Sequence, residues 1–259
     1  MEMSVEKYLK RIGFDGEPRP DRDTLFRLQH AHLTSVPYED LDIYYRREFS
    51  LAYGAIYDKV VNRRRGGYCF ELNGLFGWLL RQVGFRTEEY LGRWLKGEAL
   101  AVPLRRHRVI KVLMGRRSYI ADVGVGQRCP LEPLEFRHGV VQERQGVRYR
   151  IVRDGLYNVV QTELDGEFVN FYSFDDAPQE NIDFIYPHYY CCNNPASVFL
   201  RRIIVHMSTE EGRCSIATAL CPETGQEVPE LRTSDGESSF LFSEKELSDA
   251  LERYFGIRM

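Results

Sequence analysis

The residue best suited to covalent chemistry is Cys69, which follows Gly66-Gly67-Tyr68 and precedes an apolar stripe with helical spacing. A cysteine in the first turn of a helix lies in the positive field of the helix dipole, which favours the thiolate, the nucleophilic form. The two glycines allow backbone geometry and close ligand approach that a side chain would resist. A buried, unreactive helix cysteine is the alternative that this pattern leaves open.

A thiol nucleophile requires a base, and His107 and Asp122 stand at the same end of a predicted β-hairpin. A two-residue turn at Met114-Gly115 would place the two side chains directly opposite each other. A turn at Gly115-Arg116 would place them one diagonal step apart on the same face. Either turn lets the carboxylate orient the imidazole, as in a catalytic triad, whereas a three-residue loop without a bulge would separate them.

Three stretches of different periodicity have to position these residues. Residues 1–85 show helical spacing and predict a helical bundle, with Asp23 as the cap of its second helix. Residues 86–190 alternate with the period of strands and predict a barrel or curled sheet. Residues 191–259 are mixed and include a capping box that begins at Ser243. This order predicts an α+β protein of two or three packed parts.

Composition and charge narrow the class of protein. The chain has 259 residues, of which 43% are hydrophobic and 28% charged, as in ordinary globular domains. The net charge of −3 gives no reason to expect nucleic acid or an anionic membrane as a partner. No apolar run approaches the ~18 residues of a membrane helix, and the first residues do not resemble a signal peptide. Six cysteines without metal-site spacing predict reduced thiols in a cytoplasmic protein with no structural metal, and nothing specifies an oligomeric state.

Six segments, in order along nearly the whole chain, resemble the arylamine N-acetyltransferase family. The most specific is Arg65-Gly66-Gly67-Tyr68-Cys69-Phe70-Glu71-Leu72-Asn73, which is similar to the family signature. The others are Val36-Pro37-Tyr38-Glu39-Asp40-Leu41, the strand that opens at His107, Asp122-Val123-Gly124-Val125-Gly126, Pro195-x-Ser197-x-Phe199 and Phe255-Gly256-Ile257. Ordered agreement at six places is hard to obtain by chance.

The resemblance implies an N-terminal helical bundle, a central antiparallel β-barrel and a C-terminal α/β lid, with a papain-like triad. In that triad Cys69 is the nucleophile, His107 the general base and Asp122 the orienting carboxylate. The family's usual donor is acetyl-CoA, a co-substrate rather than a permanently bound cofactor. Its acceptors are small aromatic amines or hydrazines, which implies a role in xenobiotic metabolism.

The resemblance also implies contacts with both substrates. Two glycines are expected to contact the coenzyme and three side chains to line the acceptor pocket: Gly124 and Gly126, and Tyr38, Val125 and Phe199, respectively. Val125 replaces the usual phenylalanine, and Cys192-Asn193-Asn194 stands where the family usually has Ser-Thr-x. Both departures fall near the acceptor or the coenzyme and leave the triad intact.

The resulting prediction is ping-pong acetyl transfer through an acetyl-Cys69 intermediate, with His107 accepting the proton of the attacking amine. An amide synthase or acyltransferase of the same fold, with another acyl donor or a bulkier acceptor, is the first alternative. A cysteine hydrolase, in which water takes the acyl group, is the second. A non-catalytic binding module is the third, and it predicts that Cys69 does not react with iodoacetamide at neutral pH.

Overall fold

The computed structural model describes residues 2–97 and 102–259, where helices come first, then a long series of strands, then a mixture of both. The helices are α1 (Val5–Arg11), α2 (Arg22–Ser35), α3 (Leu41–Tyr44), α4 (Tyr53–Tyr57), α5 (Cys69–Val83), α6 (Ile185–Asn193) and α7 (Glu244–Phe255). The strands are β1 (Tyr38–Glu39), β2 (Arg86–Trp94), β3 (Arg105–Met114), β4 (Arg117–Ala121), β5 (Leu134–Glu135), β6 (Gln142–Arg144), β7 (Val147–Asp154), β8 (Tyr157–Leu164), β9 (Glu167–Phe174), β10 (Ile204–Ser208), β11 (Arg213–Leu220), β12 (Glu227–Arg232) and β13 (Ser238–Phe240). A π-helical turn at Asp58–Asn62 and 3₁₀ turns at Asn181–Phe184 and Val198–Leu200 join neighbouring elements.

Helix α5 is the buried centre of the N-terminal helices, and it begins at Cys69 as the sequence predicts. Nearly every side chain from Cys69 to Leu80 is buried, because the helix packs against barrel strands on one side and against α1 and α4 on the other. It ends at Gly84, whose φ of 103° is the left-handed conformation that favours glycine. Cys69 therefore lies at the junction between the helices and the barrel.

The N-terminus of α2 differs from the sequence prediction. The sequence predicts Asp23 as the cap, but the carboxylate that accepts the amide of Thr24, at 2.8 Å, belongs to Asp21. Asp21 has the extended backbone that an N-cap requires, so the prediction is wrong by two residues. Asp23 lies inside the first turn, where its charge is favourable beside the helix dipole.

Eight strands form an antiparallel sheet in the order β5-β4-β3-β2-β9-β8-β7-β6. The sheet curls until its two edge strands meet through a side chain, since Gln142 on β6 accepts from the amide of Glu135 at 2.7 Å and donates to its carbonyl at 2.9 Å. This side-chain bridge makes a nearly closed barrel. The predicted α+β fold, with helices ahead of a β-barrel, is confirmed.

A second sheet, in the order β1-β10-β11-β12-β13, forms the C-terminal part together with α7. Helix α7 begins at the predicted capping box of Ser243 and Glu246, and its apolar side packs on the sheet around Leu231. Strand β1 comes from the N-terminal region and pairs Tyr38 with His206 of β10. The N-terminal and C-terminal parts are therefore joined by a shared sheet.

Among the residues with a described position, the longest and most apolar helices are still too short or too polar to cross a membrane.

Candidate active site

The structure brings the three predicted triad residues together. Nε2 of His107 lies 2.7 Å from Oδ2 of Asp122, and the Cys69 side chain forms a hydrogen bond with the same imidazole. Because Nε2 is directed at the carboxylate, Nδ1 is the ring nitrogen that remains for the sulfur. All three side chains are buried, with exposures of 3%, 2% and 1% for Cys69, His107 and Asp122. A thiol, an imidazole and a carboxylate thus form a hydrogen-bonded chain shielded from solvent.

The β3–β4 hairpin determines how the imidazole meets the carboxylate. Met114 pairs with Arg117, so the turn consists of Gly115-Arg116. The second of the two predicted registers is therefore the right one. It places His107 one diagonal step from Asp122 on the same face of the hairpin.

Aromatic rings and one carboxylate set the charge state of His107. The imidazole packs against Trp94 and Tyr172, with ring centroids 6.0 Å and 4.9 Å away. Burial alone would lower the pKa of this imidazole, but the Asp122 carboxylate and the Cys69 sulfur outweigh burial and raise the pKa to about 10. The site therefore favours an imidazolium, the form that pairs with a thiolate.

We expect the imidazole of His107 to keep its second proton through neutral pH. Because its pKa is raised to about 10, the ring loses this proton only as the pH rises towards that value. The stabilisation that protonation gives to the folded state is complete below pH 6.5 and is lost as the pH rises from 6.5 towards about 10. A ¹³C NMR titration of the histidine Cε1 resonances measures this midpoint. A His107 resonance that titrates at the ordinary pKa of 6.5 would contradict the assignment.

Several donors hold the carboxylate of Asp122 in place. Oδ1 accepts from Nδ2 of Asn73 at 2.8 Å and from the amide of Gly124 at 2.9 Å. The hydroxyl of Tyr172 is hydrogen-bonded to the same carboxylate. With Oδ1 occupied by Asn73 and Gly124, Oδ2 is directed at His107. The orientation of the imidazole is therefore set by groups from a helix, a turn and a strand.

Asn73 is a residue of the site that sequence reasoning does not single out. Its side chain contacts Asp122 and also accepts from the amide of Val123 at 2.8 Å. It lies one helical turn after Cys69, so one face of α5 carries both the thiol and the group that holds the carboxylate. That i, i+4 spacing is the signal that could have identified Asn73.

The two predicted coenzyme glycines pack against other site residues. A methyl group on Gly124 would lie 2.7 Å from Cα of Cys69 and 2.9 Å from Nδ2 of Asn73, so only glycine fits there. A methyl group on Gly126 would make an ordinary 3.6 Å contact with the ring of Tyr38. Coenzyme contact by these two glycines stays a prediction.

A Gly124→Ala variant is expected to lower kcat/KM by about 10²-fold, because the added methyl group displaces the backbone that carries the thiol. Steady-state kinetics of acetyl transfer, with circular dichroism as a check of folding, measures the effect. Gly54→Ala is the matched control, since a methyl group there meets nothing within 4 Å. Wild-type kinetics for the Gly124 variant would show that the close approach to Cys69 has no catalytic consequence.

The three predicted acceptor residues contact different parts of the site. The phenol of Tyr38 is near enough to Cys69 for their charges to interact. The ring of Phe199 packs edge-on against Tyr68, with a centroid distance of 5.7 Å. Val125 is buried, and its amide is hydrogen-bonded to a cysteine sulfur in the same loop. Their contact with an acceptor remains a prediction.

A buried cluster of two cations and three carboxylates lies next to the start of α5. Nζ of Lys59 is 2.8 Å from Asp42 and 2.9 Å from Glu71. Nη2 of Arg65 is 2.8 Å from Glu39 and 3.2 Å from Asp42. Burial raises the pKa of the Glu71 carboxyl to about 7, although Lys59 opposes the rise. We refer to these five residues as the buried ion cluster.

The buried ion cluster fixes the first turn of α5. A carboxylate oxygen of Glu71 accepts from the amide of Tyr68 at 3.1 Å, which caps the helix directly before Cys69. Gly66 is required in the same segment, because a methyl group there would overlap the carbonyl oxygen of Pro37. Gly66 therefore allows close packing of the backbone. The sequence analysis predicts that the glycines also allow a ligand to approach closely.

A Lys59→Met variant is expected to lose about 3–5 kcal/mol of unfolding free energy, because it leaves buried carboxylates without their partner. Equilibrium unfolding in urea measures this loss. Lys245→Met serves as the control: that side chain is 87% exposed and its ion pair lies on the surface, so its removal is expected to have a small effect. A Lys59 variant as stable as the Lys245 variant would contradict the role given to the cluster.

Comparisons with known proteins identify the class. Residues 21–259 match the family model described as N-acetyltransferase. The chain is 33% identical over 264 residues to the arylamine N-acetyltransferase of Mycolicibacterium smegmatis, covering 99% of this chain and 93% of the relative. It is 32% identical over 208 residues to the arylamine N-acetyltransferase of Escherichia coli strain K12, covering 80% and 74%.

Comparison with solved structures points to the same family. The arylamine N-acetyltransferase from Salmonella typhimurium superposes with a TM-score of 0.89 at 26% identity, covering 99% of this chain and 92% of that one. The Mycobacterium marinum arylamine N-acetyltransferase in complex with CoA has a TM-score of 0.87 at 28% identity, covering 98% and 93%. The chain belongs to the arylamine N-acetyltransferase family, as the sequence motifs indicate.

Proposed function

We propose that this protein transfers the acetyl group of acetyl-CoA to the nitrogen of a small aromatic amine or hydrazine by a ping-pong mechanism. The names of its relatives and the CoA complex of one of them support the donor and the acceptor class. The single observation that carries the mechanism is the buried hydrogen-bonded chain from Cys69 through His107 to Asp122.

In the first half-reaction, the thiolate of Cys69 attacks the carbonyl carbon of the thioester and forms a new S–C bond. The bond between carbon and the coenzyme sulfur breaks, and the CoA thiolate takes the proton of the His107 imidazolium as it leaves. Exchange of one thioester for another is nearly thermoneutral, so a cysteine suits this donor. The amide N–H of Cys69, at a helix start, is suited to hydrogen-bond the oxyanion.

In the second half-reaction, the amine nitrogen attacks the carbonyl carbon of acetyl-Cys69. The neutral imidazole of His107 accepts the amine proton, and the Cys69 thiolate leaves as the amide forms. Asp122 keeps the imidazole in the tautomer that can accept this proton and stabilises the imidazolium. The resting ion pair is thereby restored after each turnover.

The test is an acetylation assay with purified protein, acetyl-CoA and an aromatic amine, in which CoA release and amide product are measured together. We expect amide to form in step with CoA, with parallel double-reciprocal plots when the two substrates are varied. CoA release that the amine does not stimulate would overturn the proposal and favour a hydrolase. A panel of longer acyl-CoA donors in the same assay tests whether another donor is preferred.

A further inference from the structure

A β-bulge interrupts the pairing of β2 and β3 directly beside the triad. Gly92 pairs with His107. The next residue of β2, Arg93, pairs with Arg105, which leaves Arg106 as an extra residue on β3. Bulges of this kind redirect a side chain and occur often next to active sites. Arg106 is therefore placed by an irregularity of the barrel.

The backbone of Arg106 lies beside the thiol, and its side chain lies near residues predicted to line the acceptor pocket. Its carbonyl oxygen is 3.5 Å from the sulfur of Cys69. Its guanidinium carbon is 6.0 Å from the ring centroid of Phe199. Burial raises the pKa of the Tyr38 phenol and of the Cys191 thiol, and the positive charge of Arg106 opposes both rises. The guanidinium thus faces two of the three residues predicted to line the acceptor pocket.

We propose that Arg106 determines acceptor specificity by pairing with a carboxylate on the aromatic ring of the amine, so that aminobenzoate-type acceptors are preferred over neutral ones. This assignment rests on the proposed function. A guanidinium carries five N–H donors in a planar fork, so it can hold a protein group and a ligand carboxylate together. Since the carbonyl of Arg106 lies beside the reacting sulfur and its guanidinium lies near Phe199, we expect an acceptor with its amine at Cys69 to bring a carboxylate at the other end of its ring towards the guanidinium.

The phosphates of acetyl-CoA are a second source of negative charge that Arg106 could attract. They are separated from the coenzyme sulfur by the whole pantetheine arm, whereas the backbone of Arg106 touches the sulfur of Cys69. The position of the residue therefore favours the acceptor over the phosphates, and the two sources affect different kinetic constants.

The experiment compares kcat/KM for 4-aminobenzoate and for the neutral isostere 4-aminobenzamide. The ratio of the two values is the readout, because differences in amine nucleophilicity cancel when variants are compared. Arg106→Gln is expected to lower this ratio about 10- to 100-fold, in line with the loss of a charge-assisted bidentate pair. Arg106→Lys is expected to lower it less, because the charge stays but the planar fork is lost.

Arg105→Gln is the matched control. The guanidinium of Arg105, one residue earlier on β3, pairs with Asp175 at 2.5 Å, and we expect the ratio to stay at its wild-type value. A wild-type ratio in Arg106→Gln would overturn the proposal, and so would a raised KM for acetyl-CoA without a change in the ratio. If the wild type acetylates 4-aminobenzamide but the ratio of kcat/KM values is the same in Arg106→Gln, only the acceptor assignment fails. If neither amine is acetylated, the proposed function fails with it.

Discussion

A Cys69→Ser variant is expected to fold like the wild type and to transfer acetyl groups at least about 10⁴-fold more slowly. The serine hydroxyl is a much weaker nucleophile, and it would have to form an ester from a thioester instead of exchanging one thioester for another. Its oxygen would keep a hydrogen-bonding group beside His107, so packing of the buried site changes little. The rate of CoA release with saturating amine measures the loss of transfer, and circular dichroism tests whether the fold is kept.

Cys221→Ser is the control for this substitution. Its thiol is hydrogen-bonded to Thr224 in the turn between β11 and β12, an environment that suits a hydroxyl as well. We expect this variant to retain wild-type turnover. A Cys69→Ser enzyme within tenfold of the wild type would rule out Cys69 as the nucleophile.

An Asp122→Asn variant is expected to lose about 10⁴-fold in kcat while keeping its fold, as the same substitution does in a serine protease triad. The donors Asn73 and Gly124 determine how the new amide must lie. They occupy Oδ1, so the amide oxygen stays with them and the NH₂ group faces Nε2 of His107. Nε2 must then accept, which leaves the proton on Nδ1, the nitrogen that faces sulfur. In that tautomer the ring cannot take a proton from the amine.

The kinetics of this variant are compared with those of Asp175→Asn. Asp175 directly follows β9, forms an ion pair with Arg105 and serves as a carboxylate control. We expect Asp175→Asn to stay within a few-fold of the wild type. An Asp122 variant with the same modest loss would remove Asp122 from the mechanism.

Local signals in the sequence could predict the positions of the triad because each residue lies within two residues of the end of a helix or strand. The start of α5 at Cys69 follows from glycines ahead of an apolar helical stripe, and the hairpin period places His107 and Asp122 on one face. These signals depend on neighbours in the chain, where spacing determines geometry. The α2 cap shows where these signals end, because Asp21 and Asp23 are both good capping residues and residue type alone does not distinguish them.

Contacts between distant elements could not be predicted in the same way. The hydrogen bond from Asn73 to Asp122 joins residues 49 positions apart and depends on how α5 packs against the barrel. Strand β1 has only two residues, too few to show a period, yet it joins the C-terminal sheet through Tyr38 and His206. The bulge at Arg106 likewise exists only in the pairing of β2 with β3. Such features arise from tertiary packing, which spacing along the chain does not encode.

The most direct measurement is the intact-protein mass after mixing with acetyl-CoA in the absence of any acceptor. If a sulfur anion is formed beside His107 and attacks the thioester, the wild type gains the mass of one acetyl group. Peptide mapping then locates it on Cys69, and an added aromatic amine removes it. The Cys69→Ser variant gains nothing. Amide product from an enzyme that never acquires this mass would contradict a covalent acetyl-cysteine and the mechanism built on it.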